Sequence, residues 1–186
     1  WSLNQRGVTD LVLADSFGKK EKWKNLRGLK FTEFVDRGDL FDALESAEWA
    51  REIKAVIHMG ACADTTQTDV DFLMTWNYEY SRILCEWSLA NDARFIYASS
   101  AAVYGGGALG FSDKDELTPK LRPLNAYGFS KWLFDMWVLE NKLQDEVAGL
   151  RFFNVFGPNE YHKGRMASVV LHAYPQARAT GKVRLF

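Results

Sequence analysis

Arg94-Phe-Ile-Tyr-Ala-Ser-Ser-Ala-Ala-Val-Tyr-Gly-Gly106, followed after a polar loop by Asn125-Ala-Tyr-Gly-Phe-Ser-Lys131, is the stretch that decides how the chain folds. Phe95 to Ala98 has the apolar, aromatic character of a buried strand, and it ends in the pair Ser99-Ser100. Asn125 opens a helix in which Tyr127 and Lys131 stand four residues apart, one turn from each other on the same face. A serine hydroxyl arriving from the strand end completes a group able to move a proton to or from an alcohol. A free phenol titrates at about 10 and is a poor base at neutral pH. A neighbouring ammonium favours the phenolate and is expected to draw the Tyr127 value down, while Ser100 holds the substrate oxygen. Tyr-x-x-x-Lys arises by chance in a chain with seven tyrosines. Its weight here comes from the serines upstream and from the order of elements around it.

That order is built from short apolar strands alternating with helices. Residues 1–6 read as the end of a helix capped by Gly7, residues 11–14 as a strand ending at Asp15, and residues 30–35 as an alternating strand. A helix of imperfect period follows over 39–52, then a strand over 55–58 leading to Gly60-Ala61. Residues 70–90 form a long helix with Leu73, Trp76, Tyr80, Ile83, Leu84 and Trp87 on one side. In the helix opened by Asn125, the apolar stripe is Phe129, Leu133, Met136 and Trp137. A strand over 147–156 stops at Gly157-Pro158, and a last helix is expected over 165–174, before Pro175. The pattern predicts an α/β fold, a doubly wound, Rossmann-like parallel sheet covered by helices on both faces. In such sheets ligands gather outside the carboxyl ends of the strands, where Asp15, Gly60, Ser99, Ser100 and Asn154 all fall.

Bulk composition removes several function classes. Apolar residues at 47% and charged residues at 25% describe an ordinary globular protein, and a net charge of −1 gives no general pull toward nucleic acid or an anionic membrane. No apolar run approaches a membrane span and no signal peptide is visible. Cys62 and Cys85 are too few for a disulfide framework and read as reduced thiols of a cytoplasmic protein. Three histidines and two cysteines show no metal-ligand spacing, so no metal is assigned; His58, inside a strand, reads as a core histidine.

Tyr127-Gly-Phe-Ser-Lys131, Ala98-Ser-Ser-Ala-Ala-Val-Tyr-Gly105 and Arg151-Phe-Phe-Asn-Val-Phe-Gly-Pro158 resemble the extended short-chain dehydrogenase/reductases of the NAD-dependent epimerase/dehydratase family that act on nucleotide sugars. Three further runs, His58 to Thr66, Asn77 to Ser81 and above all His162-Lys-Gly-Arg-Met-Ala-Ser168, resemble the branch of that family that inverts C-6 of an ADP-linked heptose. The resemblance implies a bacterial cytoplasmic enzyme, a homo-oligomer, serving lipopolysaccharide core synthesis. It implies bound NADP, with NAD as the alternative, that takes a hydride from C-6 and returns it to the other face of a transient ketone. A second proton donor, or a reorienting ketone, is then required. Lys163 matches the family's second lysine, although by residue type alone it is a solvated loop lysine.

The remaining roles follow the same resemblance. Asp15 and Ser16 match positions near the adenosine ribose, and Lys22 and Arg37 match positions near a 2′-phosphate. An Asp at the ribose position favours NAD, so the preference for NADP rests on the resemblance. Gly60 and Ala61 let backbone approach the cofactor, Asn77 supports the site from the long helix, and Val155 lies at the nicotinamide end. Lys131 and Lys163 contact the cofactor as well as serving with Tyr127 and Ser100 in catalysis. Asn154 and His172 match positions that touch the ADP-heptose; Ser100 holds the substrate oxygen, and Arg165 is a candidate contact to its phosphate, with a solvated arginine at a helix start as the alternative.

The chain departs from the family at both ends. The Gly-rich turn that holds a dinucleotide pyrophosphate is absent, and Asp15 stands where the acidic residue about 20 residues beyond it would fall. The sequence begins with Trp and stops at Val183-Arg-Leu-Phe186. The expectation is a fragment incomplete at both termini, with residues 1–160 in the cofactor-binding domain and 161–186 opening the substrate-binding region. Another nucleotide-sugar epimerase or a dehydratase would share the triad, although many dehydratases place an acidic pair where this chain has Ala101-Ala102. A non-catalytic dinucleotide-binding protein is the alternative from outside enzymes.

Overall fold

Among the described residues, five short strands, all in parallel pairs, carry the architecture. A computed structural model describes residues 1–184; Leu185 and Phe186, the end of the run at which the chain is read to stop, lie outside the described residues. The chain divides into two units, Trp1–Ala47 together with the chain from Asn154 onward, and Glu48–Phe153.

In the first unit, helix α1 (Ser2–Gln5) precedes strand β1 (Val12–Asp15), which pairs in parallel with β2 (Glu33–Asp36) so that Asp15 stands opposite Asp36. The second strand is shorter than the run over 30–35 suggests, because pairing starts only where residue 33 meets Val12. Helix α2 (Leu40–Ser46) buries Leu40 and Leu44, one turn apart, and lies against β2, whose Val35 is also buried. The single helix expected over 39–52 breaks at Ala47, which is extended (φ −78°, ψ 140°); a 3-10 turn, Glu48–Glu52, follows in the other unit. At the far end, a 3-10 segment (Tyr161–Met166) leads to helix α6 (Val169–Thr180). Its start is fixed by Ser168, whose hydroxyl accepts the Leu171 N–H. Pro175 does not end this helix, as expected from sequence, but sits inside it, and termination waits for left-handed Gly181.

The second unit holds β3 (Ala55–His58), β4 (Arg94–Ser100) and β5 (Val147–Phe152) in that order, all parallel. Strand β5 stops at Phe152, short of the expected end at residue 156, so Asn154 and Val155 lie beyond it. Between β3 and β4 the chain forms α3 (Val70–Leu73), a π-helical segment (Met74–Glu79) and α4 (Tyr80–Ala90). Helix α5 (Ala126–Glu140) joins β4 to β5; Asn125 caps it, accepting the Gly128 N–H at 2.7 Å. Phe95, Tyr97 and Ser99 of β4 are buried at period two and face the helices, where Phe134 of α5 packs edge-on to Tyr97 at 4.7 Å between centroids.

Two helix faces differ from the apolar stripes read in sequence. On α5 the buried positions are Gly128, Ser130, Lys131, Phe134, Asp135 and Val138, while Phe129 is 41% exposed. Along α3–α4 they are Leu73, Asn77, Ser81, Leu84, Cys85 and Ser88, and Ile83 is exposed. Both helices turn a polar-rich face inward. These inward polar groups are the ones that build the site.

Candidate active site

Strand β4 delivers Ser100 and α5 delivers Tyr127 and Lys131 within the second unit; Ser100 and Tyr127 meet, while Lys131, one turn further along α5, reaches Ala98 on the same strand end. Ser100 is the last residue of β4; its hydroxyl accepts the Ala102 N–H at 3.1 Å and hydrogen-bonds the Tyr127 phenol. Its neighbour Ser99 points the other way, into the helix layer. Helix α5 can approach this closely because residue 128 is glycine: a Cβ there would lie 2.8 Å from the Ala102 carbonyl oxygen. Lys131 is buried and its Nζ donates to the Ala98 carbonyl at 2.8 Å.

The electrostatics differ from the expectation in one respect. Burial raises the Tyr127 pKa above its ordinary value, and the group that opposes the rise is Ser100, not Lys131. The Lys131 ammonium is spent on Ala98, and its own burial lowers it to about 8, partly offset by Asp135. The pair is thus held in a dry setting where each charged form is costly and each nearby charge counts for more than in water.

Asn77 locks this corner from behind. Fully buried in the π-helical segment, it accepts the Cys62 N–H at 2.8 Å and donates to the Cys62 carbonyl at 3.1 Å and the Ser130 hydroxyl at 3.0 Å. Ser130 in turn donates to the Tyr127 carbonyl at 2.7 Å. The loop after β3, with Gly60 and Ala61, is thereby tied to the turn that carries Tyr127. A π-helical insertion is a common way to aim one side chain at such a point. His58 is a core histidine, as read: its Nε2 is 2.8 Å from the Ser81 hydroxyl, and burial with the nearby Lys131 charge lowers its pKa to about 4.

Sequence reasoning missed Asp135. Its buried carboxylate accepts from Tyr97 at 3.0 Å, Ser99 at 2.9 Å and Arg151 Nε at 3.0 Å. Arg151 reaches onward to the Thr118 hydroxyl at 2.7 Å and lies over the Tyr104 ring. The available signal was spacing, since Asp135 follows Lys131 by four residues on one helix face.

The first unit holds the other candidates. Asp15 ends β1; its Oδ1 accepts from Lys22 Nζ at 2.5 Å and from the Ser16 N–H at 2.8 Å, while the Ser16 hydroxyl donates to Asp36 at 2.9 Å. The Arg37 N–H donates to the Asp15 carbonyl. Two carboxylates at adjacent strand ends, one already paired with an ammonium, suit the hydroxyls of an adenosine ribose and leave a cation beside them. Lys163 is exposed on the 3-10 segment, its N–H donating to the Glu160 carbonyl at 2.9 Å, and Gly164 at φ +59° breaks the helix just after it. The Glu160 carboxylate accepts from the Ser168 and Gly157 amides, which hold its pKa below the usual range. Tyr161 donates to Asn25 at 2.5 Å, tying this segment to the turn that bears Lys22. Asn154 and Val155 are exposed beyond β5, Arg165 is exposed near the end of the 3-10 segment, and His172 is half-buried on α6. Among the described residues no cluster is placed to hold a metal ion, and no helix is long and apolar enough to cross a membrane.

Parallel βα units that set a serine, a tyrosine and a lysine together at a strand end, with acidic side chains at another, define the class. The chain belongs to the NAD dependent epimerase/dehydratase family, whose model matches residues 2–186. It is 50% identical over its whole length to an ADP-L-glycero-D-manno-heptose-6-epimerase of Nitratidesulfovibrio vulgaris (strain DP4), and covers 58% of that protein. To the enzyme of the same name from Fusobacterium nucleatum it is 47% identical, over 100% of this chain and 57% of that one. Among solved structures it resembles the Helicobacter pylori ADP-L-glycero-D-manno-heptose-6-epimerase, with a TM-score of 0.74 and 32% identity, over 94% of this chain and 56% of that one. The chain therefore spans somewhat more than half the length of the relatives it matches.

Proposed function

We propose that this protein is a nucleotide-sugar epimerase that inverts C-6 of the heptose in ADP-D-glycero-D-manno-heptose to give the L-glycero epimer, for lipopolysaccharide core synthesis. The observation that carries the reaction type is the Ser100–Tyr127 hydrogen bond at the end of β4, with Lys131 one helical turn away. The sugar is supported by the run His162 to Ser168 and by the names of the relatives.

In this reading the Ser100 hydroxyl holds the C-6 oxygen and Tyr127 takes its proton. NADP, or NAD, when bound at the strand ends, would supply the reversible hydride chemistry at C-6 that no side chain of the chain can provide. Lys163 donates the proton when the hydride comes back to the opposite face. Asp15 and Ser16 hold the adenosine ribose, and Lys22 with Arg37 favours a 2′-phosphate and hence NADP. The Lys22–Asp15 pair supports that choice, because it offsets the carboxylate a phosphate would otherwise meet. Gly60, Ala61, Asn77 and Val155 complete the cofactor side, with Lys131 at the nicotinamide ribose. Asn154, Arg165 and His172 contact the ADP-sugar. Residues 1–160 serve as the cofactor domain and residues from 161 open the substrate region. A cytoplasmic homo-oligomer is the assembly this reading expects.

The test is Tyr127→Phe in the full-length protein, assayed on ADP-D-glycero-D-manno-heptose and on UDP-glucose. The parent should epimerise the heptose alone; the variant should lose that activity by a factor of 100 or more, on the order of what general acid–base groups contribute, and still hold cofactor. Undiminished turnover in the variant refutes the catalytic assignment. Turnover of UDP-glucose in place of the heptose refutes the substrate.

A further inference from the structure

We propose that Asp135 is a positioning residue for the Tyr127–Lys131 pair: its buried carboxylate pins the end of β4 to α5, where Ser100 meets Tyr127 and the Ala98 carbonyl meets Lys131. The inference rests on the catalytic reading of Tyr127 and Lys131 but not on the identity of the sugar.

The geometry has two parts. Asp135 gathers Tyr97 and Ser99, alternate residues of β4, together with Arg151 of β5, at 2.9–3.0 Å. Ser99 precedes Ser100, and Ala98 supplies the carbonyl that Lys131 grips. One carboxylate therefore fixes the two residues that flank Ala98, the second of which precedes Ser100. The second part is charge. Asp135 lies one turn beyond Lys131 on the same buried face of α5. The other titratable groups near Lys131 are His58 from β3 and the Cys62 thiol from the following loop. Burial raises the pKa of Asp135 itself, and Arg151 from β5, with the hydrogen bonds from Ser99 and Tyr97, opposes that rise. Burial drives the Lys131 pKa down to about 8, and Asp135 is the largest influence opposing that fall. Without it the ammonium would lose its proton near neutrality and hold the Ala98 carbonyl through a weaker, uncharged donor.

A structural tie alone would predict lost stability and nothing more. The discriminating measurement is the titration of Lys131, followed by NMR of 13C-labelled lysine in the full-length protein with NADP bound, the signal being assigned by its absence in Lys131→Arg. Asp135→Asn removes the charge and keeps one carbonyl oxygen, which can accept from Tyr97 or Ser99 but not from both, since the two donate to different carboxylate oxygens; Asp135→Asn with Arg151→Gln also removes the arginine that would be left unpaired. Both should lower the Lys131 midpoint by about one unit, the size expected when one nearby buried charge is lost, and should cut kcat while leaving KM for the ADP-heptose unchanged. Asp135→Glu, which retains the charge, should keep the midpoint. An unchanged midpoint in both charge-removing variants overturns the proposal. So does a shift in the single variant that vanishes in the double, because the cause would then be the orphaned Arg151. The titration needs no substrate, so a failed heptose assignment would leave its outcome standing.

Discussion

Replacing Asn77 with alanine should cost the chain more stability than almost any other single polar truncation. Its side chain is fully buried and makes three hydrogen bonds, two to Cys62 backbone groups and one to Ser130. Ser130 loses little, since its hydroxyl still donates to the Tyr127 carbonyl. The Cys62 N–H and carbonyl lose their partner in a half-buried loop, at about 1 kcal/mol each. The void left by the missing amide adds about 1 kcal/mol. The total, about 3 kcal/mol, corresponds to a fall in Tm of roughly 6–12 °C for a chain of this size. Urea and thermal unfolding monitored by circular dichroism measure it directly. Asn77→Asp provides the internal control. It keeps the acceptor for the Cys62 N–H but turns a carboxylate onto the Cys62 carbonyl, so its deficit at pH 7 should equal or exceed that of alanine and shrink as the pH falls and the acid is protonated. Dinucleotide affinity should weaken alongside, because Gly60 and Ala61 sit on the released loop. An Asn77→Ala variant within about 0.5 kcal/mol of the parent, the range of ordinary surface substitutions, would show that the loop is held by something else.

Lys131→Met should abolish epimerisation yet stabilise the fold at pH 7 by about 1–3 kcal/mol, the upper end being the 10.5-to-8 depression converted at about 1.4 kcal/mol per unit and the lower end allowing for the lost bond to Ala98. The sign follows from the depressed folded value. The neutral lysine's stability is fully present only above the unfolded value of 10.5 and is lost as pH falls through about 8, so the gap between parent and variant should close from pH 8 to 10.5. His58, lowered from 6.5 to about 4, favours the fold above pH 6.5 and loses that contribution, at most about 3 kcal/mol, as pH falls through 4. Urea midpoints between pH 7 and 4 should show a steeper decline in the parent than in His58→Gln. Gly128→Ala, whose Cβ would meet the Ala102 carbonyl at 2.8 Å, should cost about 1–3 kcal/mol and lower kcat on the order of 10-fold by shifting Tyr127; equal kcat in the variant would show that the first turn of α5 has slack.

What sequence made legible followed physical rules that act locally. Asn125 announced the start of α5 because an amide at that position satisfies a helix N–H. Ala55 to His58 read as a strand to the residue because a short apolar run before a glycine has few other uses. Asp15 accepts both the Ser16 N–H and the Lys22 ammonium, a local pairing within hydrogen-bonding reach of one strand end. The errors share one cause. Ranking α5 by hydrophobicity put Phe129 inside and left Asp135 unnoticed, whereas the helix buries Ser130, Lys131 and Asp135 and leaves Phe129 exposed. Along α3–α4 the same rule passed over Ser81 and Ser88, which bury by donating to the carbonyls of Asn77 and Leu84.

Those errors mark where the chemistry is. A helix turns polar groups inward only when each finds a partner there, and for Asn77, Lys131 and Asp135 that partner comes from a segment distant in sequence. Periodicity within one element therefore cannot reveal the arrangement; it emerges only when β4 brings Tyr97 and Ser99 to Asp135 and the π-helical segment brings Asn77 to Cys62. The same burial explains why the simple expectation for Tyr127 did not hold. Spacing places an ammonium one turn away, but excluding water raises the phenol and depresses the lysine together. The balance between those opposed shifts is set by Ser100 on one side and Asp135 on the other. A reactive pair built this way is tuned by the groups around it more than by its own separation, and Asp135→Asn and Tyr127→Phe should accordingly fail in different ways, the first through the pH dependence of turnover and the second at every pH.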